Sequence, residues 1–285
     1  MNPSPLARRI GLVRDLPPPH PGQFGPDHTV VEVITPRQWR DADPFILLMD
    51  DRVDGRLLAG PHPHAGFETV TFIVEGDLPA EHAGTAALGT GDLEWTTAGS
   101  GIVHGPDKPF EGKMRVLQLW LTLPKAQRWT EPDHQIVRRK DALVRREGGA
   151  EVTLYSGVSG PLVSSTRNRV PVTFIDVALA AGAQVEQQVP GDHGGYLYVL
   201  DGEVSVGADR HVLKPGQVGW IDRVEEAAET VLSFVNATDR SARVLFVSGQ
   251  RQNDPIRWYG PFVGDTQADI LRSFERYQAG AFRRV

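Results

Sequence analysis

Two histidines separated by one residue, His62 and His64, stand at the start of a β-branched and aromatic run that ends at Glu75-Gly76. A run of this kind that closes on an acidic-glycine turn predicts a β-strand. Because side chains alternate between the two faces of a strand, His62, His64 and Glu68 are expected on one face. A histidine pair alone is more often a surface or core pair than a metal site, so the metal hypothesis requires a third ligand.

His104 is the candidate third ligand, because it follows a short strand and the glycine-rich bend Gly99-Ser100-Gly101. Neutral imidazoles on a rigid sheet suit iron, nickel, copper or zinc. The chain contains no cysteine, so any metal must be bound by nitrogen and oxygen atoms. His82 lies in a loop beyond the far end of the first strand and is not expected to bind the metal. The sequence therefore predicts a three-histidine metal site at the open end of a β-barrel.

Short strands are the elements that must position these residues. The 285 residues include 30 glycines and 22 prolines, which separate many short runs of valine, isoleucine, threonine and phenylalanine. This pattern is typical of an all-β sandwich or barrel. Around Leu119, leucines alternate with Gln118 and Trp120, so one face of this strand is expected in the core and the other at a cavity.

An internal repeat indicates two barrels. The turn at Glu75-Gly76 recurs as Asp201-Gly202, and the glycine-led strand start that follows it recurs at nearly the same offset. Matching turns at one offset imply two copies of one barrel. We therefore expect an N-terminal barrel with the metal site in residues 1–135 and a C-terminal barrel in residues 136–285.

The second copy and the end of the chain lack the metal pattern. One histidine, His193, stands where the first copy has two, so no metal is expected there. Apolar residues at helical spacing predict a short C-terminal helix that packs on a barrel. These residues are Ile270, Leu271, Phe274 and Tyr277.

Charge and hydropathy exclude several classes of protein. The formal net charge is −6, and no long lysine or arginine block is present, which disfavours direct nucleic-acid binding. The N-terminal residues lack the apolar core of a secretory signal, and no apolar stretch is long enough to span a bilayer. We expect a cytoplasmic protein that does not bind membranes and is a compact monomer.

Taken together, the motifs resemble the pirin family of the cupin superfamily, and the resemblance covers nearly the whole chain. The motifs that support it are Asp43-Pro44-Phe45-Ile46-Leu47-Leu48, His62-Pro63-His64, Gly66-Phe67-Glu68-Thr69-Val70, Gly91-Asp92-Leu93, Ala98-Gly99-Ser100-Gly101-Ile102-Val103-His104, Leu117-Gln118-Leu119-Trp120 and Gly260-Pro261-Phe262-Val263. The resemblance implies a bicupin, that is, two tandem cupin β-barrels. It also implies a metal in the N-terminal barrel with His62, His64 and His104 as ligands.

One part of the family pattern is missing. The fourth ligand of pirins is a glutamate two residues after the third histidine, and this chain has Pro106 there. Glu68 matches the position at which many other cupins supply a carboxylate ligand, so it could complete a site of three histidines and one glutamate. The alternatives are three histidines with water, or a weak or absent metal.

Resemblance to pirins implies two functions. Some pirin-like proteins are quercetinases, so the chain is predicted to be a quercetin 2,3-dioxygenase-type oxygenase that acts on flavonols or similar enols with dioxygen. Fe²⁺ is the first choice of metal, with Ni²⁺, Mn²⁺, Cu²⁺ or Zn²⁺ as alternatives. Glu68 is the candidate catalytic proton acceptor, and the alternative is a carboxylate that only accepts hydrogen bonds in the barrel mouth. The competing function is a non-enzymatic regulator that binds a protein partner.

Overall fold

Strands dominate the structure, a computed structural model that describes residues 5–80, 86–224 and 229–285. Two α-helices occur among these residues, and one of them is the predicted C-terminal helix. The all-β prediction with a short C-terminal helix is therefore confirmed. None of the helices in the described residues is long and apolar enough to cross a membrane.

The elements follow one another along four segments of the chain. Before Pro18 lie β1 (Leu6–Ala7) and β2 (Ile10–Asp15). Residues 18–141 contain β3 (His20–Pro21), β4 (His28–Ile34), a 3₁₀ helix (Pro36–Gln38), α1 (Trp39–Ala42), β5 (Phe45–Leu57), β6 (His62–His64), β7 (Phe67–Leu78), β8 (Leu88–Gly89), β9 (Leu93–Thr97), β10 (Ile102–His104), β11 (Phe110–Thr122), a 3₁₀ helix (Lys125–Gln127) and β12 (Asp133–Val137).

The second half of the chain continues in the same way. Residues 142–251 contain β13 (Leu143–Glu147), β14 (Ala150–Ser156), β15 (Val158–Ser159), β16 (Leu162–Val163), β17 (Val172–Leu179), β18 (Gln184–Pro190), β19 (His193–Asp201), β20 (Val204–Val206), β21 (His211–Leu213), β22 (Gln217–Ile221), β23 (Glu229–Val235) and β24 (Ala242–Gln250). Residues 252–285 contain β25 (Arg257–Tyr259), β26 (Phe262–Gly264), α2 (Gln267–Gln278) and β27 (Arg283–Arg284).

These segments form two compact units. The first unit combines the described residues up to Pro17 with residues 142–251, and the second combines residues 18–141 with residues 252–285. The structure thus departs from the expected division into 1–135 and 136–285 at both ends of the chain. The physical reason is strand pairing over long sequence separations: β2 pairs with β22 in the first unit, and β27 pairs with β10 in the second.

The first unit is built on a seven-stranded sheet in the order β13-β14-β17-β24-β19-β22-β2 and a five-stranded sheet containing β1, β18, β20, β21 and β23. Its core is a single large cluster of aliphatic side chains with Phe234 and Phe246. β18 shows the expected alternation, because its burial alternates residue by residue from Gln184 to Pro190. The core of this unit is therefore formed by apolar side chains on the inward faces of its strands.

The second unit is built on an eight-stranded sheet in which β12-β9-β7-β11-β5-β4-β3 are neighbours and β8 pairs with β7. A separate three-stranded sheet has the order β27-β10-β6. β5 and β11 are thirteen residues each and pair along most of their length. The long pair β5 and β11 and the short pair β6 and β10 together position the site.

Helix α2 begins with a capping box. The Thr266 hydroxyl accepts a hydrogen bond from the Asp269 backbone N–H, and the Asp269 carboxylate accepts one from the Thr266 N–H at 2.9 Å. Ile270 is buried and the Phe274 ring packs against Phe262, whereas Leu271 is 55% exposed. Leu271 was expected on the apolar face, but a step of about 100° from Ile270 turns it toward solvent.

Candidate metal centre

His62, His64 and His104 lie on the short antiparallel pair formed by β6 and β10. In the register of this pair His104 stands opposite His62, and Ile102 stands opposite His64. Residues directly opposite each other in an antiparallel pair have neighbouring side chains, and residues two apart share a face. This register places all three imidazoles together.

The ligand atoms of the three histidines lie within 4.8 Å of one another. Their ring centroids are 4.6 to 4.8 Å apart. His64 and His104 are buried, and His62 is half-buried. Among the described residues this is the group whose side chains could bind a metal ion.

The hydrogen bonds of the imidazoles fit a metal site. Nδ1 of His62 lies 2.9 Å from the carbonyl oxygen of Gly60, which can only accept, so Nδ1 is the protonated nitrogen and Nε2 keeps its lone pair. Nδ1 of His64 is buried and has no hydrogen-bond partner, while the backbone carbonyl of Pro261 accepts a hydrogen bond from this imidazole. A buried nitrogen without a partner is costly unless a metal or ligand uses it. Imidazoles with one nitrogen on a carbonyl and the other available are the usual state of metal-binding histidines.

Electrostatics keep the imidazoles of His64 and His104 neutral. Burial, followed by the neighbouring imidazoles of His104 and His62, lowers the pKa of His64 well below its usual range. Burial, with smaller contributions from His62 and His134, lowers the pKa of His104 to about 3. A neutral imidazole is the form that binds a metal.

Glu68 is not brought to this group. The strand is interrupted at Ala65 and Gly66, so the alternation that begins at His62 does not continue into β7. Gly66 has φ +86°, and a Cβ there would lie 1.9 Å from the Val263 carbonyl oxygen, so the bend requires glycine.

The Glu68 side chain lies on the face of β7 opposite to the cavity described below. Glu68 pairs with Leu121 in the register, whereas Thr69 pairs with the cavity residue Trp120. The Glu68 carboxylate is fully buried and accepts a hydrogen bond of 2.7 Å from the Thr97 hydroxyl. The predicted roles of Glu68 as metal ligand and proton acceptor are therefore not supported by this geometry.

Other histidines considered as ligands lie elsewhere. His82 falls outside the described residues. In the first unit His193 is buried on β19, and His211 is exposed on β21. Pro106, two residues after His104, supplies no ligand atom and lines the cavity described below.

The three histidines open onto a cavity of about 600 Å³ in the second unit. Alternate residues of β11 and β5 line it, as the alternation around Leu119 predicts. The lining residues on these strands are Leu47, Met49, Asp51, Val53, Leu57, Met114, Val116, Gln118 and Trp120. The Trp120 ring lies 5.2 Å from the His64 ring, so the histidines stand at one end of an apolar chamber.

Residues near the C-terminus support the histidine strands, that is, β6 and β10. Sequence patterns did not indicate this supporting role. The Val263 N–H donates to the Ala65 carbonyl at 3.0 Å. β27 pairs in parallel with β10, and the Phe282 ring packs where a Cβ on Gly101 would otherwise lie. The Gly-Pro-Phe-Val motif at 260–263 was the sequence feature that could have pointed to this role.

Comparison with known proteins agrees with this architecture. Residues 28–121 match the family model described as Pirin, and residues 174–283 match the model described as Pirin C-terminal cupin domain. Pirin-1 of Arabidopsis thaliana is 34% identical over 243 residues, which cover 83% of this chain and 82% of that protein.

Solved structures extend the comparison. A quercetin 2,3-dioxygenase from Acinetobacter baumannii has a TM-score of 0.80 and 26% identity, covering 96% of this chain and 98% of that one. The bacterial pirin YhhW of Escherichia coli, solved in complex with nickel(II), has a TM-score of 0.63 and 15% identity, covering 84% and 98% of the two chains, and shows the shared fold alone. Because the matched family segments span most of its length, this chain belongs to the pirin family and is a bicupin with structural similarity to a quercetin 2,3-dioxygenase.

Proposed function

We propose that this chain is a metal-dependent dioxygenase of the quercetinase type, which opens the ring of a flavonol or similar enol with dioxygen. The observation that supports the proposal most strongly is the three-histidine group at the end of an apolar cavity of about 600 Å³. A cavity of this volume is in the usual range for small-molecule sites. The similarity to a quercetin 2,3-dioxygenase supports the same substrate class.

His62, His64 and His104 would bind the metal through neutral imidazoles, which suit Fe²⁺ first and also Ni²⁺, Mn²⁺, Cu²⁺ or Zn²⁺. A metal bound there supplies Lewis acidity and a template for the enol oxygens and dioxygen. The carbonyl of Gly60 fixes the orientation of the His62 ring. The chain thus presents preformed nitrogen ligands before any metal arrives.

The remaining cavity residues bind and orient the aromatic part of the substrate. Trp120 offers an indole wall beside His64, and Met49 and Val116 continue the apolar surface. The Gln118 side chain is fixed because its Oε1 accepts from the Thr71 hydroxyl at 3.1 Å and its amide donates to the Val70 carbonyl at 3.3 Å. Apolar walls exclude water from the bound enol, which strengthens electrostatic interactions at the histidines.

Metal analysis and oxygen uptake test the proposal. The purified protein is stripped of metal, reloaded anaerobically with ferrous iron, and assayed by elemental analysis and by oxygen consumption with quercetin. We expect about one metal per chain and quercetin-dependent oxygen uptake, because a third imidazole completes the site. His104→Ala should lose both, and His20→Ala, which replaces an exposed histidine on β3, should lose neither. No bound metal in the wild type would refute the proposal.

A non-enzymatic regulator that binds a protein partner is the second candidate function. It is favoured by Pro106, which supplies no ligand atom, and by the Glu68 carboxylate, which lies outside the metal-binding group of the described residues. A protein that binds about one metal per chain, but consumes no oxygen with quercetin or with related enols, would support this candidate over the dioxygenase.

A further inference from the structure

A buried histidine and an aspartate form a polar pair in the wall of the same cavity. His28, at the start of β4, and Asp51, within β5, both line the chamber. The imidazole is 2% exposed, and its Nε2 lies 2.8 Å from Oδ1 of Asp51.

The hydrogen bonds fix the protonation of this pair. The backbone N–H of Phe24 donates to Nδ1 of His28 at 3.3 Å, so Nδ1 is the acceptor nitrogen of a neutral ring. Nε2 therefore bears the proton and donates it to Oδ1 of Asp51. The Phe24 ring stacks on the imidazole with centroids 5.3 Å apart, which keeps the imidazole in this orientation.

Asp51 retains acceptor capacity that points to a ligand. Its second carboxylate oxygen, Oδ2, has no hydrogen-bond donor within the described residues, and the side chain is 23% exposed at the cavity. Asp51 is the carboxylate among the described residues that line this chamber. A carboxylate in an apolar chamber is stabilised by a donor group, and a ligand hydroxyl is such a donor.

The pair lies far from the histidine group. Asp51 pairs with Val116 in the register, and Leu47 pairs with Trp120, the residue beside His64. Four residues of strand separate these two cross-strand pairs, which corresponds to about 13 Å along the strand. A carboxylate at this distance cannot take a proton directly from an enol at the histidines. A three-ring aromatic molecule is long enough to span a gap of this order.

We propose that Asp51, positioned by His28, recognises a hydroxyl group on the end of the substrate farthest from the histidines. This inference rests on the proposed function, because it requires that an enol be bound at the histidine end. The substrate class then becomes narrower: an aromatic enol with an apolar middle and a hydroxyl on a distal ring. Asp51 Oδ2 is the acceptor atom, and His28 is a positioning residue that acts through Asp51.

Binding selectivity tests the inference without relying on turnover. Nickel-loaded protein is titrated anaerobically with quercetin, which has distal hydroxyls, and with 3-hydroxyflavone, which has the chelating oxygens alone. We expect the wild type to bind quercetin at least about tenfold more tightly, the size of effect typical of a hydrogen bond to a charged group. Asp51→Asn should reduce this ratio to within about threefold.

Further variants separate positioning from stability. His28→Leu removes the donor to Asp51 and should reduce the ratio, whereas His28→Gln, whose amide can replace Nε2–H, should retain most of it. Met49→Leu, an apolar change in the same wall, should change both dissociation constants together and leave the ratio unaltered. A selectivity ratio is insensitive to a general loss of folded protein, so these variants report recognition.

The two proposals fail in different ways. If the wild type binds both flavonols equally, or if Asp51→Asn keeps the full preference for quercetin, the role of Asp51 is overturned while the enol site stands. If neither flavonol binds the wild type, the proposed function is overturned, and the inference with it. If Asp51→Asn does not fold, the comparison of His28→Leu with His28→Gln decides the inference, and equal selectivity ratios in these two variants and the wild type overturn it.

Discussion

Arg128 offers the sharpest test of how the histidine strands are supported. Its guanidinium is fully buried, and Nε donates to Asp265 at 2.9 Å. Nη1 donates to the carbonyl of Gly66 at 3.0 Å and to the Thr122 hydroxyl at 3.2 Å. Gly66 forms the bend directly after the histidine strand β6. Arg128→Met removes every one of these donors while keeping an unbranched side chain.

The expected loss follows from what is left unpaired. Removing one partner of a buried ion pair costs about 3–5 kcal/mol of unfolding free energy. Asp265 is 17% exposed, so water can partly hydrate its unpaired carboxylate, and we take the lower end of this range for the loss of the ion pair. The Gly66 carbonyl and the Thr122 hydroxyl are both buried and lose a donor, which adds about 1 kcal/mol each. We expect Arg128→Met to cost about 5 kcal/mol. Asp265→Asn keeps an oxygen acceptor and the donors to Gly66 and Thr122, but it leaves the buried guanidinium without a counter-charge, so we expect it to cost about 3 kcal/mol.

Urea unfolding followed by tryptophan fluorescence is the appropriate assay. Every tryptophan except Trp220 lies in the second unit, so the fluorescence reports mainly on the unit that contains Arg128. Arg52→Met is the matched control. Arg52 is 43% exposed, and its partner Asp50 keeps two hydrogen bonds of 2.9 Å from Arg115, so we expect a loss below about 1 kcal/mol.

Two outcomes would contradict this reasoning. The first is an unfolding free energy for Arg128→Met within about 1 kcal/mol of the wild type. The second is a larger loss in Asp265→Asn than in Arg128→Met, because the aspartate variant leaves the donors to Gly66 and Thr122 in place. Either result would mean that this buried guanidinium does not stabilise the bend next to the histidines.

Two further predictions concern other parts of the molecule. Burial lowers the pKa of His193 to about 4 from an ordinary value of 6.5, so the unfolded chain takes up a proton first as the pH falls. The unfolding free energy of the first unit should therefore decrease between pH 6.5 and pH 4 by about 3 kcal/mol, as measured by hydrogen exchange, and His193→Gln should flatten this slope. Phe282→Ala removes the ring that packs over Gly101 at the start of the strand containing His104, and we expect nickel binding to weaken by about tenfold. Arg284→Ala, which removes a half-exposed ion pair, should leave nickel binding within about twofold in the same titration, and equal losses in both variants would contradict the role of the ring.

Local patterns predicted the parts of the site that depend on strand geometry. The spacing of His62 and His64 on one short strand, and of His104 after a glycine bend, indicated three candidate ligands, and the structure places their ligand atoms within 4.8 Å of one another. The alternation of Gln118 and Trp120 with leucines indicated which face of β11 lines the cavity. The strand period therefore gives the correct face wherever a strand is continuous.

The same reasoning failed at interruptions and at long-range contacts. Glu68 was expected on the histidine face because the run from His62 was treated as one strand, but the bend at Gly66 separates two strands. His28 carries no sequence signal that marks it as part of the site, yet it is buried against Asp51, because β4 pairs with β5. No periodicity in the sequence encodes a partner 23 residues away.

The candidate ligands all lie between residues 62 and 104, yet that segment could not form the site alone. β6 and β10 are three residues each, too short to be stable as an isolated pair. The carbonyl that accepts a hydrogen bond from His64 belongs to Pro261, and the strand that pairs with the outer edge of β10 lies at Arg283–Arg284. A peptide spanning the histidine motifs would therefore contain every candidate ligand and still lack the groups that orient them. Metal binding by these three histidines, as proposed above, would accordingly be a property of the folded second unit, and its strength should follow the stability of that unit more closely than the identity of any residue adjacent to the histidines in sequence.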